Sequence, residues 1–224
     1  MHYTLHYSQI SSYLPYLMKG ALLSLELSVL AFSAGLIIGL PLAIIYNESG
    51  RFLSRLVRAY VVFFTNTPQL VQIYVIFYGL PELGILLSPF VSVLIGMTLN
   101  ATAYLTEILR AGLTSVHREE LDAAETLGMT RLQSIRYVIL PHVFRVSMLP
   151  LSNLYILMTL GTSMAAIFGV EELTGRALNV NSTTFRSIEI FTTIAGFYIV
   201  ITFIATIMLA IAGRSIFRAR IKVL

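Results

Sequence analysis

Thr65, Asn66, Thr67, Gln69 and Gln72 crowd around Pro68 inside an apolar stretch. Asn100 and Tyr104, four residues apart, interrupt a second apolar run, and Thr162 with Ser163 a third. Polar groups are expensive in lipid, so their positions carry information. Amides and hydroxyls offer both donors and acceptors. Their chemistry is to hold a polar solute by hydrogen bonds, or to bond one helix to the next, and both readings stay open. Pro68 removes one helical hydrogen bond and frees a carbonyl nearby. Glu107 and Arg110, three apart, can pair on one helix face. That pair anchors a helix or gates a passage.

Catalytic chemistry finds no such footing. The histidines are His2, His6, His117 and His142, and none has metal-ligand spacing or sits with a nucleophile in a workable pattern. With no cysteine there is neither a disulfide nor a thiolate metal site. No Gly-x-x-x-x-Gly-Lys-Ser/Thr phosphate loop occurs. The chain reads as a non-enzyme without a metal or cofactor of its own.

The elements that must position these residues are membrane spans. Of 224 residues 57% are hydrophobic and only 12% charged, with mean hydropathy +0.82. A soluble domain rarely has so few charges. Spans are expected near 20–46, 57–80, 88–110, 147–169 and 190–212, each long enough for a bilayer core that needs roughly 20 apolar residues. Gly35, Gly39 and Pro41 in the first permit close packing or a kink. No cleavable signal peptide is evident.

Basic residues set the orientation. Arg51, Arg55 and Arg58, then Arg110, Arg118, Arg131, Arg136 and Arg145, then Arg214, Arg218, Arg220 and Lys222 fall on one side, against Lys19, Arg176 and Arg186 on the other. Positive residues stay in the cytoplasm, so the N-terminus is expected outside and the C-terminus inside. The charges lie between spans, which argues against nucleic-acid binding. The whole chain, 1–224, reads as one transmembrane domain. Within it, 1–19 is expected along the outer interface through Tyr3, Tyr7, Tyr13 and Tyr16, and 111–146 is a large cytoplasmic loop.

That loop reads as two short helices. The first runs from Glu119 to Gly128 with acids at its start, which suits the positive end of the helix dipole. The second, Leu132 to Leu140, is expected to break or kink at Pro141. Ala123, Ala124 and Gly128 are expected to leave a bare patch on one face, where another helix can approach closely.

The sequence Asp122-Ala123-Ala124, Gly128, then Leu140-Pro141 resembles the loop signature of ABC importer permeases. Thr67-Pro68-Gln69-Leu70-Val71-Gln72 with Tyr78-Gly79-Leu80-Pro81, Asn100 with Ala103-Tyr104, Glu107-Ile108, Arg110 and Gly112, and Thr162-Ser163 with Glu172-Leu173 resemble the polar amino-acid subfamily in three successive spans. The chain departs from the family's habit at Asp122 for Glu, at Thr65-Asn66 for Arg-Gly, and at Leu160 for Lys.

The resemblance implies an all-α permease of the type I ABC importer kind, with five spans and a coupling-helix loop, in a bacterial inner membrane. It implies import of polar amino acids of the histidine, glutamine and arginine kind, by alternating access. Residues 119–141 would dock a cytoplasmic ATPase dimer, which binds the ATP and Mg. A second permease subunit, identical or homologous, completes the path, and an extracytoplasmic amino-acid-binding protein delivers the solute. Amides and hydroxyls at Asn66, Thr67, Gln69, Gln72, Asn100, Tyr104, Thr162 and Ser163 would supply donors for a zwitterion's carboxylate and acceptors for its ammonium. Opine-like derivatives are an alternative cargo.

An ATP-independent secondary transporter or channel is the rival. It needs coupling carboxylates deep in the spans, and only Glu26 and Glu107 come near that. Glu171 and Glu172, beyond the fourth span, are expected to meet a binding protein or to be solvated.

Overall fold

The computed structural model describes residues 4–217. Arg218, Arg220 and Lys222, used for the orientation, and His2 and Tyr3 lie outside the described residues. Every regular element among the described residues is helical. Four helical runs are long and apolar enough to cross a membrane: Tyr7–Glu48, Pro89–Thr114, Arg131–Phe168 and Ser187–Ile211. Counting the pair Arg51–Thr65 and Gln69–Glu82 as one broken span makes five.

Helix α1 runs from Leu14 to Glu48, so residues 14–19 belong to the span and only short turns at Tyr7–Gln9 and Ser11–Tyr13 precede it. The second span departs from expectation most. Helix α2, Arg51–Thr65, stops before Pro68, and α3, Gln69–Tyr74, starts after it. Residues 57–80 are therefore two helices and not one kinked span. A π turn, Val75–Gly79, joins α3 to the short α4, Leu80–Glu82. Helix α5 is Pro89–Thr114.

The loop holds α6, Arg118–Thr126, and α7, Arg131–Ser134. The expected break at Pro141 is absent. A second π turn, Ile135–Ile139, carries α7 directly into α8, Leu140–Gly161. A π turn widens the helix by one residue per turn, and here it ends two residues before Pro141, which has no N–H to give. Pro81 follows the first π turn at the same spacing. Beyond α8 come a 3-10 stretch, Thr162–Phe168, then α9, Leu173–Thr184, and α10, Ser187–Phe217.

Two compact units divide the chain. One takes residues up to 31, 69–97 and 156–206. Its core is Ile10, Leu17, Ala21, Leu173, Ala177, Val180, Ile190, Ile194 and Ile201. The other takes 32–68, 98–155 and the residues from 207 on. Its core includes Ala43, Leu109, Leu113 and Val143.

Close helix contact organises the second unit. A Cβ at Gly35 would lie 3.0 Å from Ala101 Cβ, and one at Gly39 would lie 3.2 Å from Leu105 Cβ. The two glycines, four apart, let α5 approach the backbone of α1, as small residues do between membrane helices. Thr106 Oγ1 donates to Thr102 O at 2.7 Å and also lies 3.4 Å from the Gly39 carbonyl.

Candidate docking loop and polar span residues

The loop is held from beneath. His142 on α8 places Nδ1 3.4 Å from Glu120 Oε2 on α6. Its Nε2 lies 3.2 Å from Ser115 Oγ, just past α5. The His117 ring meets the His142 ring edge-on at 6.4 Å. Arg131 at the start of α7 pairs with Glu48 at the end of α1. One imidazole and one ion pair thus tie the loop to three spans.

Local signals fix where its helices end. Gly128 sits at φ +71°, a left-handed conformation that costs a side-chain-bearing residue about 1–2 kcal/mol. Gly128 N–H donates to Glu125 O at 2.8 Å and Met129 N–H to Ala124 O at 3.1 Å, the paired bonds of a Schellman stop. Thr130 and Gln133 then form a reciprocal capping box, with Thr130 N–H donating to Gln133 Oε1 at 2.8 Å. Turn and cap together start α7 after a connection of four residues, 127–130.

The expected bare patch is therefore corrected. Ala124 is buried while Ala123 is exposed, so the two alanines face opposite ways. Gly128 lies beyond the helix and serves its termination. Beside the exposed charges of Arg118, Glu119, Glu125 and Arg131, the loop shows large apolar side chains outward: Leu127 is 79% exposed, Leu132 75%, Tyr137 62% and Leu121 37%. Asp122 is exposed among them, while Leu140 and Pro141 are half-buried on α8. Exposed apolar side chains of this kind are what an interaction surface presents. This feature is spread over positions 121 to 137, and the small residues drew attention away from it.

In the same unit the polar residues at the α2 break serve its backbone. Thr65 Oγ1 donates to Val61 O, Asn66 Nδ2 to Val62 O and Thr67 Oγ1 to Phe63 O, each at 2.8 Å. From α5, Asn100 Nδ2 donates to Phe64 O at 3.1 Å and Tyr104 OH to Thr65 O at 3.3 Å. Five successive carbonyls, 61 to 65, each receive a side-chain donor. A helix end leaves four carbonyls without partners, and in lipid each would cost several kcal/mol. The polar cluster is what allows α2 to end inside a membrane.

Gln69, Gln72, Thr162 and Ser163 belong to the other unit. Gln72 is buried at 6%, and Gln69 Oε1 lies beside Gly161, 3.5 Å from where a Cβ would stand. Thr162 Oγ1 donates to Thr159 O at 2.7 Å and Ser163 Oγ to Leu160 O at 2.8 Å. Both hydroxyls thus serve their own helix end. Glu107 and Arg110 do pair, at 3.4 Å, and the Arg110 guanidinium also lies 4.8 Å from the Tyr46 ring of α1. That second contact favours an anchor between α5 and α1.

Among the described residues no group of three His, Asp or Glu is placed to hold a metal ion. Residues 35–218 match the family described as binding-protein-dependent transport system inner membrane components. The chain belongs to that family. It is 32% identical over 205 residues to the glutamine transport system permease protein GlnP of Escherichia coli strain K12, covering 91% of this chain and 94% of that one. It is 34% identical over 215 residues to the octopine transport system permease protein OccM of Rhizobium meliloti, covering 92% and 88%. A crystal structure of an amino acid ABC transporter with histidines superposes with TM-score 0.86 at 29% identity, covering 96% of this chain and 100% of that one.

Membership settles several expectations. The chain is a membrane permease of several spans, all-α, with the type I importer fold, and it is a transport subunit and not a catalytic one. Permeases of this family work with an ATPase and a solute-binding protein.

Sequence reasoning missed one built site in this permease. Glu172, expected to be solvated or in reach of a partner, is fully buried. Its Oε2 accepts from Ser24 Oγ at 2.9 Å and from Tyr198 OH at 3.1 Å. Its Oε1 accepts from Gly175 N–H at 2.9 Å, capping α9. Burial pushes its carboxyl above the ordinary glutamate range, while the bonds from Thr174, Gly175, Ser24 and Tyr198 pull the other way. Gly20 completes the packing, since a Cβ there would stand 2.9 Å from Leu173 Cα. The one local signal was Gly175 three residues after the acid, the spacing of an N-cap. Glu171 stays half-exposed and pairs with Arg176 at 3.8 Å.

Proposed function

We propose that this chain is the membrane-spanning subunit of an ATP-driven importer for polar amino acids. It forms half of an alternating-access path, and a second permease subunit supplies the other half. Residues 119–141 dock a cytoplasmic ATPase dimer that holds the ATP and Mg, and an extracytoplasmic amino-acid-binding protein delivers the cargo. The N-terminus lies outside and the C-terminus in the cytoplasm of a bacterial inner membrane. The whole chain acts as one permease domain.

The observation that carries this reading is the loop surface. Leu127, Leu132 and Tyr137 are presented to solvent by helices pinned through His142 and Arg131. A soluble partner gains by covering those side chains, and the rigid mounting carries its movement into α1, α5 and α8. The names of the relatives support amino acids as cargo. The similarity to the octopine permease keeps amino-acid derivatives within the same class.

Asp122 and Ala123 sit on the docking face, and Ala124, Gly128, Leu140 and Pro141 shape it. Asn66, Thr67, Gln69, Gln72, Asn100, Tyr104, Thr162 and Ser163 stay the candidates for contact with the solute. Most of their donors bond backbone, so their acceptor oxygens are what they offer to an ammonium group. The test is uptake of radiolabelled glutamine and octopine by vesicles that hold the permease, its ATPase and its binding protein. ATP-dependent uptake of either supports the reading, and uptake driven by an ion gradient without ATP defeats it.

A further inference from the structure

Arg136, Leu140, Phe144, Met148 and Ser152 recur every fourth residue along the run from α7 into α8. That spacing aligns them on one helix face. They line one side of a groove of about 470 Å³, with Phe32 and Leu36 of α1 on the other. From Arg136 to Ser152 the helix rises about 24 Å, longer than one leaflet's share of a ~30 Å hydrocarbon core.

The chemistry of the lining is lopsided. Apart from Arg136 at the loop end and Ser152 at the inner end, every lining side chain is apolar. No carboxylate lines it, so an amino-acid zwitterion finds nothing there for its ammonium. Among the described residues no carboxylate pairs with Arg136, and its guanidinium rests 5.6 Å from the Tyr137 ring. A long apolar trough with one arginine at its mouth fits an anionic amphiphile. An apolar helix from a second copy would cover Arg136 and leave a buried charge without a counter-ion. A phosphate supplies that counter-ion and matches the guanidinium fork.

We propose that this groove binds an anionic phospholipid of the leaflet on the loop side. One acyl chain lies along Phe144 and Met148, between Phe32 and Leu36, and the phosphate sits against Arg136. The proposal rests on the reading above for the cytoplasmic placement of the loop, and its Arg136, Leu140 and Pro141 lie at the end of the segment assigned there to the ATPase, while the cargo does not enter it.

The test is native mass spectrometry of the full-length permease, purified with its accompanying subunits and titrated with phosphatidylglycerol or with phosphatidylcholine of the same chains. Wild type is expected to retain phosphatidylglycerol in preference. Arg136→Gln is expected to lose about fivefold in that affinity, the worth of one basic residue at an anionic surface, with phosphatidylcholine unchanged. Ser152→Phe, which fills the trough, is expected to lower both. Equal retention of the two lipids by wild type, or unchanged retention in Arg136→Gln, overturns the proposal. A photoreactive benzoylphenylalanine at Met148 gives an independent reading in intact membranes. Capture of phospholipid supports the proposal, and capture of a second permease chain or another subunit overturns it.

Discussion

Asn100 donates from Nδ2 to the carbonyl of Phe64 at 3.1 Å, reaching back 36 residues from α5 to the last turn of α2. With Tyr104 on Thr65, it does for the broken span what water does for a helix end in a soluble protein. A residue singled out as a solute contact is thus first a support for the break. Its role in transport rests on that support.

Asn100→Leu removes the side-chain donor to the Phe64 carbonyl, at a cost of about 0.5–1.5 kcal/mol. The expected result is a lower thermal midpoint together with slower uptake when the binding protein is saturated. Gln69→Leu lacks the stability term and is expected to change uptake or cargo preference alone. Ile199→Leu, at a 68% exposed position, is the control. Wild-type uptake and preference in Gln69→Leu would remove that residue from the path.

Glu172 gives a prediction in pH. Its carboxyl lies outside the spanning segments and is raised by burial. A raised value means the stability it contributes is fully present below the ordinary glutamate pKa and is lost as pH rises through the raised one. Thermal midpoints of wild type are expected to fall over that window. Glu172→Gln keeps a neutral group of the same shape and is expected to flatten the dependence. Glu172→Ala is expected to lower the midpoint at every pH, because Ser24, Tyr198 and Gly175 N–H lose their acceptor. A pH profile unchanged in Glu172→Gln would assign the slope elsewhere.

Orientation is open to chemical labelling. An engineered cysteine at Glu82 is expected to react with an impermeant maleimide in intact cells, and one at Glu119 only after the membrane is opened. Labelling of position 119 in sealed cells would reverse the topology and with it the side on which the loop lies.

The parts of this protein visible in its sequence are those set by local composition. Spans follow from apolar length, and the family from a loop motif and three span motifs in order. The start of α6 rests on neighbouring residues. What escaped depends on partners far along the chain or on backbone alternatives of similar energy. Pro68 and Pro141 look alike as helix breakers, yet one ends a helix and the other follows a π turn inside a continuous run. The difference lies in side chains: five donors serve the carbonyls at the first, and among the described residues no such cluster surrounds the second. Glu172 was misplaced because its partners, Ser24 and Tyr198, lie 148 residues before and 26 after it. The alanine pair misled because a helix turns about 100° per residue, which puts Ala123 and Ala124 on different faces.

The docking surface is the centre of the account, and Leu127 is its most exposed member. Leu127→Glu places a charge there while keeping Gly128 at its left-handed position and the anchors at His142 and Arg131. The direct measurement is affinity purification of the tagged permease, wild type and Leu127→Glu, quantifying the ATP-binding subunit that accompanies each and ATP-driven uptake after reconstitution. The account predicts that wild type brings down the ATPase in fixed ratio, and that Leu127→Glu inserts normally, loses most of the ATPase and stops transport. Full ATPase retention and full uptake in Leu127→Glu would contradict it.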